Sequence, residues 1–87
     1  MTLKVILGKN FERGLRHLTK DQNREIRDAI ADFRDNPSRR SLNFGRVKGR
    51  DGYWTIRASR SIRILPYKRT STEYELVTAG SHDDVYR

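Results

Sequence analysis

The sequence contains no cysteine and only two histidines, two prolines and one tryptophan in 87 residues. Without cysteine the chain can form neither a disulfide framework nor a thiolate nucleophile, and two histidines do not supply a zinc-binding cluster. We therefore expect no metal and no cofactor. The longest early apolar run, residues 5–7, is far too short for a signal peptide or a membrane span. We expect a cytoplasmic protein with one domain, residues 1–87.

Acidic residues are scarce between residues 38 and 70, where one acid, Asp51, stands against ten basic residues. Residues 1–37 are nearly balanced, with eight basic and six acidic residues. The net charge of +8 is therefore concentrated in the second half of the chain. A cationic surface confined to one part of a protein favours a polyanionic partner, and arginine, which predominates here, binds phosphate in a bidentate manner. The pattern predicts a nucleic-acid partner.

Residues 52–67 alternate twice between apolar and polar side chains, with a short turn at residues 59–61. This pattern is typical of a β-hairpin with one buried and one exposed face. Matching the two apolar rows places Arg57 directly opposite Arg63 on the exposed face. Like charges at that distance repel unless an anion lies between them, so the hairpin predicts an anion-binding surface. Trp54 shares the face of Ile56 and is predicted to lie in the core, whereas Tyr53 is predicted at the surface.

The rest of the chain predicts two helices and further strands. Residues 3–7 form a short apolar run typical of a strand. Asn10 is the expected N-cap of a first helix, and a capping box at residues 19–22 begins a second helix that ends before Pro37. Residues 38–51 predict a loop with a short edge strand. The order predicts an α+β fold: an N-terminal strand and a helical hairpin packed on one face of a three- or four-stranded antiparallel sheet.

His82 and Tyr86 are four residues apart near the C-terminus, a spacing that keeps two side chains on the same side of a helix or a strand. An imidazole exchanges protons near neutral pH, and a phenol beside it donates or orients a hydrogen bond. With Arg57 and Arg63 as cations, and Asp83 as an auxiliary group, this set suits cleavage of RNA by its own 2′-hydroxyl. In the alternative interpretation, His82 and Asp83 cap a terminal turn and Tyr86 covers the end of the core.

The segment SLNFGRVKGRDGYWTIRASRSIRILPY, followed by SHDDVYR, resembles the RelE/ParE superfamily of bacterial toxins from type II toxin–antitoxin pairs, in its RelE-like branch. The features are an LN-x-x-x-x-KG segment, a W-x-I-R strand, an I-R-I-L strand and a terminal H-D-D-x-Y-R run. The likeness extends over nearly the whole chain. It implies a compact sheet with a helical hairpin, metal-independent cleavage of mRNA on the ribosome, and inhibition by a cognate antitoxin that covers the basic face.

Carried over by position, the resemblance implies that Arg57 and Arg63 bind the scissile phosphate. It also implies that His82 and Tyr86 occupy the histidine and aromatic positions near the C-terminus of the family. Further residues are predicted to contact mRNA or rRNA: Lys48, Arg50, Tyr53, Arg60, Lys68 and Arg69. The alternatives are a ParE-like toxin that binds DNA gyrase without catalysis and a basic nucleic-acid-binding module. The combination of His82 and Tyr86 with Arg57 and Arg63 favours an endoribonuclease, or mRNA interferase, because the non-catalytic alternatives need no acid–base residues.

Overall fold

The computed structural model describes residues 2–81 and Val85, so the predictions that concern His82, Asp83 and Tyr86 lie outside the described residues. The elements in chain order are strand β1 (Lys4–Leu7), helix α1 (Lys9–Leu15), helix α2 (Lys20–Asp35), a short 3₁₀ helix (Arg40–Leu42), and strands β2 (Gly45–Arg46), β3 (Trp54–Arg57), β4 (Ile62–Lys68) and β5 (Glu73–Ser81).

The strands form one sheet in the order β1-β5-β4-β3-β2. Strand β1 pairs with β5 in parallel, and the other three pairs are antiparallel. The predicted α+β fold with helices on one face is confirmed, but the sheet has five strands and is mixed rather than three- or four-stranded and antiparallel. The physical reason is the long connection after β1. Two helices separate β1 from the rest of the sheet, and a parallel pair requires such a crossover.

Helix α2 begins at the predicted capping box. The backbone N–H of Gln22 donates to Thr19 Oγ1 over 3.1 Å, and the Thr19 N–H donates to Gln22 Oε1 over 2.9 Å. This reciprocal arrangement satisfies two backbone donors at the helix start and contributes about 1 kcal/mol. Asn23 Nδ2 adds a bond of 3.0 Å to the carbonyl oxygen of Leu15, which ties α2 to the end of α1. Among the described residues, no helix is long and apolar enough to cross a membrane.

The prediction that Asn10 caps α1 is wrong. Gly8 is the N-cap, its conformation is extended, and no side chain accepts a hydrogen bond there. The Gly8 N–H donates to the carbonyl oxygen of Leu76 over 2.9 Å, which continues the β1–β5 pairing to the residue that precedes the helix. A Cβ at this position would lie 2.8 Å from the same oxygen. Strand pairing therefore fixes where the helix begins, and the sequence pattern of α1 does not contain that information.

The hydrophobic core lies between the two helices and the adjoining face of the sheet. Its fully buried members include Phe11, Ile26 and Phe33 from the helices and Ile56 and Ile64 from the hairpin. Burying a side chain of this size contributes about 1.5–3 kcal/mol. Since residues at alternate positions of a strand point to opposite faces, burial of the two isoleucines directs their neighbours in sequence to the far side of the sheet.

Tyr74 on β5 provides a pH-dependent test of this core. Burial raises the pKa of its phenol above 10.0, because the core disfavours the charged form. A folded-state pKa above the unfolded value means that stability is complete at neutral pH and is lost as the pH rises above about 10. We expect Tyr74→Phe to lose less unfolding free energy than the parent at alkaline pH, as measured by urea denaturation. Parallel pH profiles for the two proteins would contradict this expectation.

Candidate nucleic-acid interface

The β3–β4 hairpin has the register that the sequence predicts. Ile56 lies opposite Ile64, and Arg57 lies opposite Arg63. The turn is closed by the Ala58 N–H, which donates to the carbonyl oxygen of Ile62 over 3.0 Å. Because the two isoleucines face the helices, the two arginines, called the arginine pair below, project from the opposite face of the sheet. Two neighbouring cations are thereby placed on one surface.

Arg63 is held in place by the turn of the hairpin. Its Nη1 donates to the carbonyl oxygens of Ser59 over 2.8 Å, Ile62 over 3.2 Å and Arg60 over 3.3 Å. These contacts fix one side of the guanidinium group. All three hydrogen bonds use Nη1 of the guanidinium group.

Arg57 is exposed at the end of β3, so besides facing Arg63 it borders a shallow depression of about 160 Å³ beside α2. Three carboxylates of the helix border the same depression, those of Glu25, Asp28 and Asp32. None of the ion pairs within the described chain involves Arg57. Of the three carboxylates, that of Asp32 is paired with another residue, since its Oδ1 lies 3.9 Å from Arg39 Nε. Within the described residues, the charge of Arg57 is therefore not neutralised by a direct contact.

Strand β5 brings the chain to the arginine pair. Gly80 lies opposite Arg63 and Ser81 lies opposite Ile62, where the strand ends. Ser81 is the residue before His82 in the sequence. The topology therefore leads the chain past Arg63 immediately before the predicted acid–base residues. The predicted roles of those residues in proton transfer remain predictions.

A second basic surface lies at the other end of the hairpin, around the connection between β2 and β3. We call it the basic groove: a concavity of about 420 Å³ lined by residues 46–54 and Lys68. Four cations line it, Arg46, Lys48, Arg50 and Lys68, and Asp51 is the only acid in its lining. None of the four cations takes part in an ion pair within the described chain. The groove therefore combines concentrated positive charge with open volume.

The Trp54 ring packs against the core, as its parity with Ile56 predicts, but it is only partly buried and also forms part of the groove. Its face parity with Ile56 is as expected, but the ring lies at the margin of the core, stacked on Phe44 with centroids 4.5 Å apart and planes at 17°. Two cations lie over the ring: Arg46 Cζ is 5.3 Å and Lys68 Nζ 6.0 Å from its centroid. The helices cover Ile56 and leave this end of β3 to contacts with charged side chains.

An aromatic pair lies on the opposite face of the same strands. The Tyr53 and Tyr67 rings are 5.0 Å apart, and Arg50 Cζ lies 4.6 Å from the centre of the Tyr53 ring. Tyr67 is 37% exposed, whereas Tyr53, predicted at the surface, is half-buried. Strand geometry places Tyr53 about 13 Å from Arg57 on the same face. The aromatic pair and the arginine pair thus share one surface.

Gly52 supports this aromatic pair, and Gly49 offers a matched comparison. Both glycines have φ of +82°, where a Cβ is strained. A Cβ at Gly52 would also lie 2.7 Å from Tyr67 Cε1, whereas a Cβ at Gly49 would meet nothing within 4 Å. We expect both alanine variants to lose about 1–2 kcal/mol of unfolding free energy from the backbone, with a further loss for Gly52→Ala. Urea denaturation of the two variants measures the difference; equal losses would contradict the contact with Tyr67.

The remaining predicted contact residues differ in their surroundings. Arg69 is paired with Glu75, whose Oε1 lies 2.7 Å from Nη2 and 3.1 Å from Nε, so its charge is already compensated. Arg60 is exposed in the hairpin turn. Sequence reasoning did not select Arg46, which faces Trp54 across the β2–β3 pair. The sequence did predict an edge strand in this segment, which could have pointed to Arg46. A strand of two residues, however, does not reveal which residues of β3 lie opposite it.

No family model matches the sequence, and no curated protein matches it. Solved structures do match. A chain of the E. coli DinJ–YafQ toxin–antitoxin complex gives a TM-score of 0.78 at 10% identity, covering 100% of both chains. The RelB–RelE antitoxin–toxin complex from Methanococcus jannaschii gives 0.74 at 18% identity, covering 93% of this chain and 94% of the other.

A chain of the archaeal RelE–RelB complex from Pyrococcus horikoshii OT3 gives a TM-score of 0.73 at 15% identity, covering 93% of this chain and 96% of the other. Each alignment covers almost all of this chain and of the chain it is compared with, so the likeness concerns the whole arrangement of helices and strands. Sequence identities below one in five leave the side chains of the site to be judged on this chain alone. The chain has the fold of the RelE/ParE toxin superfamily.

Proposed function

We propose that this protein is the toxin of a type II toxin–antitoxin pair and that it cleaves mRNA on the ribosome without a metal ion. The observation that carries the proposal is the arginine pair. Arg57 and Arg63 lie directly opposite each other at the end of the hairpin, and neither is paired with a carboxylate in the described chain. Two such cations match the charge of a phosphodiester in a transition state.

The proposed reaction is attack of an RNA 2′-hydroxyl oxygen on the adjacent phosphorus atom. The new bond closes a 2′,3′-cyclic phosphate, the bond to the 5′-oxygen breaks, and that oxygen takes up a proton. Arg63, fixed by three carbonyl oxygens, and Arg57, free to approach, stabilise the added negative charge on the non-bridging oxygens. His82 and Tyr86 are proposed to accept the proton of the 2′-hydroxyl and to supply the proton that the 5′-oxygen takes up, with Asp83 as an auxiliary group.

The partners follow from the charge distribution and from the structural neighbours. The basic residues near both ends of the hairpin, including Lys48, Arg50 and Arg60, are proposed to contact rRNA and mRNA. The three neighbours described above are toxin–antitoxin complexes, which supports a cognate antitoxin for this chain. A protein antitoxin that places carboxylates against the arginine pair would block the site by direct competition. Such a toxin acts in the cytoplasm, where the ribosomes are.

The experiment that tests this function is primer extension on a reporter mRNA in a reconstituted translation system. The protein is added with and without ribosomes, and the ends of the message are mapped. We expect cuts only on message that is being translated, and 2′,3′-cyclic phosphate ends on the upstream fragments. Cuts that require a divalent ion in the absence of ribosomes would contradict the mechanism, and intact message under every condition would reject the function.

A further inference from the structure

The basic groove contains a pair of cations that the proposed cleavage does not use. Arg46 and Lys68 approach the single tryptophan from neighbouring strands, and both lie within 6.0 Å of the ring centroid of Trp54. Neither has a carboxylate partner among the described residues. Two like charges on one ring repel each other, and an anion between them would relieve that repulsion.

The ring itself is arranged as a platform. One face of Trp54 stacks on Phe44, so the indole cannot turn without disturbing the edge of the core. The lining of the groove around the ring includes the long, flexible side chains of the two cations. When such side chains turn towards a phosphate, they uncover the aromatic surface, and an unpaired base can then stack on it.

We propose that the basic groove binds one nucleotide of single-stranded RNA, with its phosphate between Arg46 and Lys68 and its base on the Trp54 ring. This inference rests on the proposed function, because it assigns a second contact to the same RNA substrate. The groove residues Trp54 and Arg46 lie on the sheet face opposite to the arginine pair. The RNA therefore passes around the short edge strand β2, with contacts on both faces of the sheet.

Trp54 is the only tryptophan of the chain, so its fluorescence reports directly on the groove. We would titrate the intact protein, without ribosomes, with a short oligoadenylate and record tryptophan emission and the anisotropy of a labelled oligonucleotide. The expected result is saturable quenching. Arg46→Ala and Lys68→Ala are each expected to weaken binding about tenfold. Each is also expected to lower the slope of log affinity against log salt by about 0.7, the value for one lost phosphate contact on a single strand.

Matched controls separate the groove from general electrostatics. Arg27→Ala and Lys20→Ala remove the same charge from exposed positions on α2, and we expect both proteins to keep the quenching and most of the affinity. Inorganic phosphate tests the source of the anion: quenching by phosphate alone at the same concentration would overturn the assignment to a nucleotide. The RNA would bind elsewhere if Arg46→Ala and Lys68→Ala both kept the parental quenching. The same conclusion would follow if the anisotropy of the oligonucleotide rose without any change in tryptophan emission.

The test is independent of catalysis. A protein carrying both Arg57→Ala and Arg63→Ala is expected to bind the oligonucleotide more weakly but to reach the same quenching at saturation, because neither residue lines the groove. If the message is cleaved on ribosomes but Trp54 does not respond to RNA, the groove proposal is wrong and the cleavage proposal stands. If Trp54 responds in a groove-dependent manner but no message is cut, the groove binds RNA and the cleavage proposal is wrong.

Discussion

Replacing either member of the arginine pair with alanine is expected to lower ribosome-dependent cleavage about 100-fold or more. A fixed donor that meets the developing charge of a transition state contributes about 2.7–4 kcal/mol, which corresponds to that loss of rate. Arg63 should show the larger effect, because three carbonyl oxygens hold its guanidinium group in position before the substrate arrives. Single-turnover cleavage rates on programmed ribosomes measure the effect.

Lysine at the same position distinguishes charge from geometry. Arg63→Lys keeps the positive charge but loses the planar group that bonds to the turn and offers two further donors. We expect it to restore only part of the lost rate. Arg27→Ala, which removes a charge from the exposed side of α2, is the matched control and should cleave at the parental rate. Rates within about twofold of the parent for both Arg57→Ala and Arg63→Ala would remove these residues from the mechanism.

The cleavage rate of the Arg57→Ala, Arg63→Ala double variant tests whether the two arginines bind the same phosphate. Arg57 and Arg63 face each other across a pair of strands, so each changes the electrostatic field at the other. If both bind one phosphate, the double variant should lose less than the product of the two single losses, as residues acting on one group do. Fully multiplicative losses would indicate that the two arginines contact different groups of the RNA.

The parts of the fold that could be predicted from the sequence are those set by local periodicity. Period-two alternation was sufficient to place Arg57 opposite Arg63, because a slip of one residue would have exposed a row of isoleucines. The capping box at Thr19 was equally local, since both of its hydrogen bonds lie within four residues. In both cases the relevant contacts are between residues close in sequence.

The parts that could not be predicted depend on contacts between distant residues. The parallel pairing of β1 with β5 joins Val5 to Tyr74, and no local pattern specifies that partner. The same pairing fixes the start of α1 at Gly8 and overrides Asn10 as a cap. The environment of Trp54 depends on how far the helices extend over the sheet, and side-chain alternation along a strand carries no information about that.

The core beneath the basic groove provides the largest expected effect on stability. Phe33 is fully buried, and its ring centre is 5.1 Å from that of Phe44 and 5.2 Å from that of Tyr74. Phe33→Ala removes a large apolar group and leaves a cavity between these rings. We expect the free energy of unfolding to fall by about 3–5 kcal/mol, a large fraction of the total for a domain of this size. Urea denaturation measures the loss.

Phe11→Ala separates loss of packing from damage to the groove. Phe11 is also fully buried, but it lies on α1 and has no ring contact among the described aromatic residues. Both variants should lose comparable stability, yet only Phe33→Ala removes the support of Phe44, on which Trp54 stacks. The native tryptophan emission should therefore shift in Phe33→Ala and stay unchanged in Phe11→Ala. A loss below about 1 kcal/mol for Phe33→Ala would show that the aromatic cluster refills the cavity. Equal emission shifts would show that the groove depends on the whole core rather than on this contact.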